Sequence, residues 1–305
     1  MKNKKLKIIN WRFCTLLSFV LFAGFYILNP SFLKASTLYF SSDSGTYQNE
    51  DTFIVDVRLD AEGENINTCG INIGFPKDYL QIVDISTGES ILTLWPKSPA
   101  FSNTEGEISF IGGVPGGFSG DGKLVSLAFR AVNSAIAQIN FNSDSQVLLN
   151  DGSGTPDKLN FSAANFTILL KTSDTVKNEW EEKISEDKAP PENFEIKLGK
   201  DKVAFSGKYF IAFFTTDAQT GIDHYEIKEG NGDWKIGQSP YLLEDQKLKS
   251  RIFVKAIDKA GNERISELVP SKRLSFYLII TLLIFGVFAI YWLVYRKKER
   301  KKIIK

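Results

Sequence analysis

Apolar residues recur at every second position through much of the first half of the chain. In TFIVDVRLD, Phe53, Val55, Val57 and Leu59 fall on one side of an extended strand, and the intervening residues fall on the other. The same period returns in INIGF, KLVSLAFRA and QINFN, and turn-rich stretches such as AEGEN and STGES separate these runs. No helical periodicity interrupts the series. The pattern therefore predicts an all-β sandwich of short antiparallel strands over residues 36–170.

A second, smaller set of strands is predicted over residues 192–270. Its runs include FEIKLG, YFIAFF, HYEIKE and SRIFVKAID, and the Gly230-Asn231-Gly232 stretch is typical of a hairpin turn. Between the two sets, residues 171–191 are highly charged and contain the pair Pro190-Pro191, which indicates a linker. A short helix around residues 176–184 is one alternative for this linker, and its charge favours the other, a solvated spacer.

Two apolar segments frame the chain. Residues 1–35 combine a basic start, an apolar run and small residues near Ala35, which predicts a signal peptide, with an uncleaved N-terminal anchor as the alternative. Residues 274–295 carry no charge, and about 22 residues at about 1.5 Å each cover about 33 Å, enough for a transmembrane helix. The basic segment 296–305 is expected to stay in the cytoplasm. We therefore expect a single-pass protein of the cell membrane with both β-domains outside the cytoplasm.

The composition excludes several classes of function. The chain has 37 Lys and Arg against 36 Asp and Glu, so no basic field attracts nucleic acid. It has one histidine, His224, and two cysteines, Cys14 and Cys69, too few for a Cys/His zinc site or a disulfide framework. Cys14 lies in the N-terminal apolar run, so Cys69 is expected to be unpaired. His224 shares the outer side of a predicted strand with Glu226 and Lys228, with no nucleophile in view, and is interpreted as a surface residue.

The stretch GFSGDGKL, residues 117–124, has the glycine and lysine spacing of a phosphate-binding P-loop. Leu124 stands where Ser or Thr would bind Mg²⁺, and LVSLAF then continues as a strand, whereas a P-loop opens a helix. We interpret the glycines as a tight turn between strands.

A longer series of segments resembles a known family. CGINIGFPKDYLQIVDISTGESI, followed in order by ISFIGG, the glycine loop, KLVSLAFRA and VLLNDGSGT, is similar to the cohesin domains of cellulosome scaffolds. The resemblance covers about 130 residues and implies a nine-stranded jelly-roll sandwich that binds dockerin modules through one sheet face, without catalysis. The family is also related to carbohydrate-binding modules. The chain departs from the family pattern at Gly70, where an acidic residue is common, and in the turn Phe75–Tyr79.

The segment VKAIDKAGN, residues 254–262, resembles the final hairpin of bacterial Ig-like or fibronectin-III-like domains. Such domains usually serve as spacers. The local chemistry predicts that Asp258 accepts hydrogen bonds from backbone amides ahead of it and that Gly261 takes a positive φ.

No catalytic, cofactor-binding or metal site is predicted, and the protein is not expected to be an enzyme. The alternative for a metal is a structural Ca²⁺, for which turn-forming Asp is the simpler explanation. The candidate residues for it form three groups: Asp217, Asp223 and Asp258; Asp43 and Asp51; and Asp144, Asp151 and Asp157. Three aromatic residues are candidates for stacking on a sugar: Tyr79, Trp95 and Trp234.

The expected function is non-covalent recognition at the cell surface. The first sandwich would dock an extracellular protein, dockerin-bearing or other, and residues 192–270 would hold it away from the membrane. Carbohydrate binding by the same sandwich and a purely structural envelope role are the alternatives. An exposed aromatic strip on one sheet face would favour a sugar, whereas a flat face of mixed polarity would favour a protein.

Overall fold

The computed structural model describes residues 35–172, 175–270 and 279–293. These residues form two β-sandwich units joined by a short helical segment. Residues 1–34, with the predicted signal peptide and Cys14, and residues 294–305, with the predicted cytoplasmic segment, lie outside the described residues.

The first sandwich contains twelve strands. In chain order they are β1 (Ser36–Ser41), β2 (Ser44–Gln48), β3 (Thr52–Asp60), β4 (Ile66–Gly74), β5 (Leu80–Ser86), β6 (Leu94–Ser102), β7 (Glu107–Phe118), β8 (Asp121–Ala131), β9 (Ala135–Phe141), β10 (Gln146–Leu149), β11 (Leu159–Phe161) and β12 (Ala164–Leu169). A five-stranded sheet has the order β11-β1-β3-β8-β5, and a seven-stranded sheet has the order β2-β12-β9-β4-β7-β6 with β10 beside β4. Parallel pairs β1–β11 and β2–β12 lie at one margin of each sheet.

The predicted alternation is confirmed in β3. Phe53, Val55, Val57 and Leu59 are fully buried in the core between the sheets, whereas the residues between them are partly exposed. The ring of Phe53 stacks on Tyr47 with a centroid distance of 4.0 Å and also contacts the rings of Phe129 and Phe166. The period of two in the sequence therefore specifies which side of the strand faces the core.

The glycine stretch is a connection between the two sheets. Strand β7 ends at Phe118 and β8 begins at Asp121, so that two residues join strands of different sheets. Gly120 has a φ of +120°, a region open to glycine. Leu124 is fully buried in β8, and no helix follows the loop. The interpretation as a tight turn is confirmed.

The segment after the first sandwich contains the short helix α1 (Glu179–Glu186), whose N-cap Asn178 accepts a hydrogen bond from the backbone N–H of Glu181. Helix α1 packs against β3, and Trp180 is buried. The backbone N–H of Thr52 donates to the carbonyl of Lys177 at 2.8 Å, so this segment pairs with the start of β3, which β1 leaves unpaired. The preference for a solvated spacer was therefore wrong for residues 177–187, because one apolar ring and the first residues of β3, which β1 does not pair, hold a segment of high charge in place.

The second unit contains seven strands. They are β13 (Lys197–Lys200), β14 (Tyr209–Ala212), β15 (Ile222–Glu229), β16 (Lys235–Gly237), β17 (Tyr241–Leu242), β18 (Ile252–Asp258) and β19 (Glu263–Leu268). They form a sheet of order β13-β14-β17 and another of order β16-β15-β18-β19, around a core that includes Ile211, Ile227 and Val254. The β15–β16 hairpin lies where Gly230-Asn231-Gly232 predicted it. The likeness of this unit to Ig-like domains stays a prediction.

The turn between β18 and β19 has the predicted chemistry. Asp258 Oδ1 accepts a hydrogen bond from the backbone N–H of Asn262 at 2.8 Å, and Gly261 has a φ of +84°. An Asp and a Gly in fixed positions thus determine this turn locally.

The two units contact each other through short loops. Ser86 Oγ donates to the carbonyl of Thr220 at 2.6 Å, and Lys259 Nζ pairs with Asp84 Oδ1 at 2.7 Å. A Cβ on Gly88 would lie 2.2 Å from the carbonyl oxygen of Gln219, so only glycine allows this approach of the two backbones.

Residues 279–293 are helical and their apolar side chains are exposed. Within the described part of the chain, we find no helix that combines the length and the apolar character needed to cross a membrane. The predicted span 274–295 lies partly outside the described residues.

Candidate functional site

The outer side of the five-stranded sheet is covered. Lys123, Ser126 and Ala128 of β8 lie on the side of the sheet that faces away from the core, yet they are buried. Helix α1 lies over this side. Burial there lowers the pKa of Lys183 in the helix, and the nearby charge of Lys123 lowers it further. The continuous run LVSLAF reflects a strand buried on both sides. A partner therefore has no access to this part of the first sandwich.

A buried lysine marks the same covered side. Lys123 is 5% exposed, and its Nζ lies 2.6 Å from Glu89 Oε2, whose side chain is 66% exposed. The hydrogen bond from Lys123 lowers the pKa of Glu89 below its ordinary value of 4.5. A carboxyl whose folded pKa is lowered stabilises the fold above its unfolded pKa and loses that contribution as pH falls.

We therefore expect Glu89→Gln to destabilise the protein at neutral pH and to reduce the loss of stability on acidification. The effect on the free energy of unfolding should be about 1 kcal/mol at pH 7, because Glu89 is largely in solvent, and should fade below about pH 4.5. Denaturant unfolding at pH 7 and pH 3 measures both. Equal destabilisation at the two pH values would contradict the ion pair as its cause.

The seven-stranded sheet presents its outer side to solvent, and we call this side the open face. It consists of the outward residues of β12, β9, β4, β7 and β6. The pairing of the strands places these residues in rows across the sheet. One row contains Asn140, Gly74 and Glu107, and the pair Asn165 and Gln138 lies next to it. A second row contains Asn72, Ser109 and Ala100, and a third contains Gly70, Ile111 and Lys97. The face is therefore broad and regular.

Most of the open face is uncharged and its side chains bond one another. Gln138 Nε2 donates to Asn165 Oδ1 at 3.1 Å, and Lys97 Nζ donates to Ser109 Oγ at 2.8 Å. Apolar side chains stand among these polar ones, with Ile111 39% exposed and Ile136 76% exposed. This mixture is typical of a surface that binds a protein, with apolar contacts and amide groups that orient the partner.

Gly70 lies near the centre of the open face. A Cβ built at this position would have no neighbour closer than 4.0 Å, so the absence of a side chain leaves exposed backbone between Gln146 and Ile111. The position that departs from the cohesin pattern in the sequence is thus a place where another molecule can approach the backbone of the sheet closely.

A shallow depression lies at one end of the open face. Its volume is about 370 Å³, and Gln138, Asn140, Asn142, Glu105 and Glu107 supply its polar lining. These groups can bond a side chain of a partner.

The three aromatic residues weighed for sugar stacking are not brought together. Trp95 packs against the core, with its ring 6.0 Å from that of Phe110, and Tyr79 lies in the turn before β5. Trp234 is in the second unit, where Lys255 Nζ lies 4.6 Å from its ring centroid. No aromatic side chain lies in the three rows of the open face given above.

His224 and Cys69 take the positions expected of them. His224 is partly exposed and its Nδ1 lies 2.6 Å from Asp223 Oδ2. Cys69 is free and buried in the core, and burial raises the pKa of its thiol to about 12. A thiol in this state is not a nucleophile.

Most of the acidic residues considered as Ca²⁺ ligands bond to nearby groups of the chain, and only Asp217 and Asp258 lie close together. Asp51 bonds backbone amides at Gln48 and Lys177, Asp144 accepts from Asn72, and Asp151 closes its own turn. Asp43 accepts from Ser44, and Asp157 accepts from Ser36. Asp217 and Asp258 do meet, but their third neighbour is Asp187, and Asp223 is not part of the cluster.

The sequence did not predict the burial of Trp180, the clustering of Asp187 with other carboxylates, or which sheet carries the open face. The continuous apolar run of β8 was an available signal for the covered side, which leaves the other sheet open. No local signal connects Asp187 with Asp217, because 30 residues separate them in the chain.

Comparison with known proteins agrees with this geometry. The family model described as "Cohesin domain" matches residues 38–169, which are β1 to β12. Comparison with curated proteins gives no match.

Several solved cohesin structures are similar to this part of the chain. The seventh ScaB type I cohesin of Pseudobacteroides cellulosolvens has a TM-score of 0.40 and 13% identity, over 46% of this chain and 96% of that one. A non-cellulosomal cohesin from the archaeon Archaeoglobus fulgidus has a TM-score of 0.37 and 17% identity, over 45% and 92%. A chain of a type I cohesin–dockerin complex from Clostridium thermocellum has a TM-score of 0.37 and 12% identity, over 45% and 100%.

The family match, the two-sheet sandwich and the order of its segments agree on one assignment. Residues 38–169 of this chain form a cohesin domain.

Proposed function

We propose that this protein is a non-catalytic receptor whose cohesin domain docks a dockerin-bearing protein through the open face. Cohesin domains bind such partners non-covalently. The observation that carries the proposal is the asymmetry of the sandwich: α1 covers one sheet, and the other presents a flat, mostly uncharged surface of amide and aliphatic side chains. This mixture favours a protein over a sugar, since no aromatic side chain projects from its central rows.

Gly70→Arg should block docking. The substitution is expected to weaken capture of the partner at least about tenfold, because a long charged side chain would project from the centre of a complementary contact. The fold should be unaffected, since a Cβ at Gly70 meets nothing closer than 4.0 Å. The measurement is a titration of residues 36–270 against a panel of dockerin modules, beside an array of polysaccharides.

The matched control is Gln81→Arg, which adds the same charge at an exposed position of β5, in the other sheet. It should leave capture unchanged. Equal binding by the two variants would place the contact elsewhere. Saturable binding to a glycan, with no dockerin captured, would favour the carbohydrate alternative instead.

We also propose that residues 274–295 anchor the protein in the membrane, with the cohesin domain outside the cell. The support is the uncharged run of about 22 residues followed by a basic segment. The test is fractionation of cells that express the full chain or a chain ending at residue 273, with protease added to intact cells. A full chain recovered in the soluble fraction would contradict anchoring, and protection of the cohesin domain from protease would contradict the orientation.

A further inference from the structure

Three buried carboxylates meet beside the contact between the two units. Asp187 follows helix α1, Asp217 lies in the loop between β14 and β15, and Asp258 ends β18. Each is at most 2% exposed, and one carboxylate oxygen from each lies within 4.8 Å of the others. Three separate segments of the chain thus deliver negative charge to one enclosed place.

Neutral groups satisfy part of this cluster. Asp217 Oδ2 accepts three backbone N–H groups, from Gln219, Thr220 and Gly221, each at 2.9 Å. Asp187 Oδ2 accepts the hydroxyl of Thr220 at 2.6 Å, and Asp258 Oδ2 accepts the side-chain amide of Asn262 at 2.9 Å.

One oxygen of the cluster has no partner. Asp217 Oδ1 is buried and receives no hydrogen bond. A buried carboxylate oxygen without a donor is costly, because nothing replaces the water it has lost. Its presence beside two other carboxylates indicates that a ligand of positive charge completes the site.

The charge balance leads to the same conclusion. Among the described residues, the ion pairs include none with Asp187, Asp217 or Asp258. Three ionised carboxylates this close repel one another, and a cation among them would remove that repulsion.

The side-chain amide of Asn262 is shared among more oxygens than it has hydrogens. The Nδ2 of Asn262 lies within 3.4 Å of the carbonyls of Asp187 and Ala189 as well as of Asp258 Oδ2, and it has two hydrogens for these three oxygens. A site built from carboxylates and backbone carbonyls suits a hard cation. Ca²⁺ fits it better than Mg²⁺, because Mg²⁺ usually retains several waters and these carboxylates are enclosed by protein.

We propose that Asp187, Asp217 and Asp258 bind one Ca²⁺ ion, which ties the end of helix α1 to the second unit. Thr220 connects this site to the cohesin domain, since its carbonyl accepts from Ser86 Oγ while its hydroxyl donates to Asp187. The ion would stabilise the junction between the cohesin domain and the unit that follows it. This inference does not depend on dockerin binding.

The test is calorimetric titration of CaCl₂ into the full chain in detergent after treatment with chelator, together with thermal unfolding. We expect one ion per chain and a rise in Tm with added Ca²⁺. Asp217→Asn retains an oxygen that can accept from the three backbone amides, and it should lower the affinity for Ca²⁺ at least about 100-fold. Asp223→Asn, a neighbouring substitution outside the cluster, should bind as the unaltered chain does.

Asp258→Asn provides a second variant should Asp217→Asn fail to fold, and it should lose the ion in the same way. Asp217→Asn in chelator should unfold at or above the Tm of the chelated unaltered chain, because one of three repelling charges is gone. Absence of Ca²⁺ binding by the unaltered chain would overturn the proposal. Full binding by folded Asp217→Asn or Asp258→Asn would overturn it as well.

Discussion

Phe53→Ala is expected to lower the free energy of unfolding of the cohesin domain by about 3–5 kcal/mol, the usual effect of removing a large buried ring. Phe53 is fully buried, and its ring contacts those of Tyr47, Phe129 and Phe166 at centroid distances of 4.0, 6.0 and 5.0 Å. These aromatic contacts join β2, β3, β8 and β12 and therefore both sheets. The cavity would remain partly unfilled, because the neighbouring side chains are held by the strands on either side.

Guanidinium unfolding of residues 36–270, followed by near-ultraviolet circular dichroism, measures this effect. Ile136→Ala is the control, because Ile136 is 76% exposed on β9, and it should change the free energy by no more than about 0.5 kcal/mol. Comparable losses in the two variants would show that Phe53 is not central to the core.

Trp180→Ala is expected to destabilise the same unfolding transition by about 3 kcal/mol. Trp180 is 6% exposed in helix α1, which packs against β3. Lys177 and Glu179 beside it bond the backbone N–H groups of Thr52 and Ile54. Loss of the ring would therefore weaken both the helix and its attachment to the edge of the sandwich.

The control for Trp180→Ala is Glu186→Ala at the exposed end of the same helix. It should have an effect below about 0.5 kcal/mol. If residues 177–187 were a solvated spacer, both variants would unfold at the same guanidinium concentration as the unaltered protein.

Local patterns predicted those parts of the fold that depend on neighbouring residues. The alternation in β3 and the Asp258 turn are decided within a few residues, and both were confirmed. The connection at Gly120 belongs to the same class, because strand parity after Lys123 excludes the helix that a P-loop requires.

Features that depend on distant segments could not be predicted in this way. Helix α1 has one buried aromatic residue among many charges, so its composition resembles that of a spacer, although the segment pairs with the start of β3. The place of Asp187 in the acidic cluster could not be predicted for a related reason. It meets Asp217 and Asp258 only because α1 ends beside the second unit. The open face could not be predicted without knowing which of the two sheets α1 covers.

The pairing of β12 also determines how the protein would respond to mechanical force. Strand β12 precedes α1 in the chain, and it is hydrogen-bonded along its length to β9 on one side and to β2 on the other. Tension along the axis of β12 would act on both of these ladders at once. The hydrogen bonds of both ladders would then be loaded in shear together rather than opened one at a time, and the bonds of Lys177 and Glu179 to β3 would share the load. Tension along β12 would therefore have to break both ladders together before the strand could leave the sandwich.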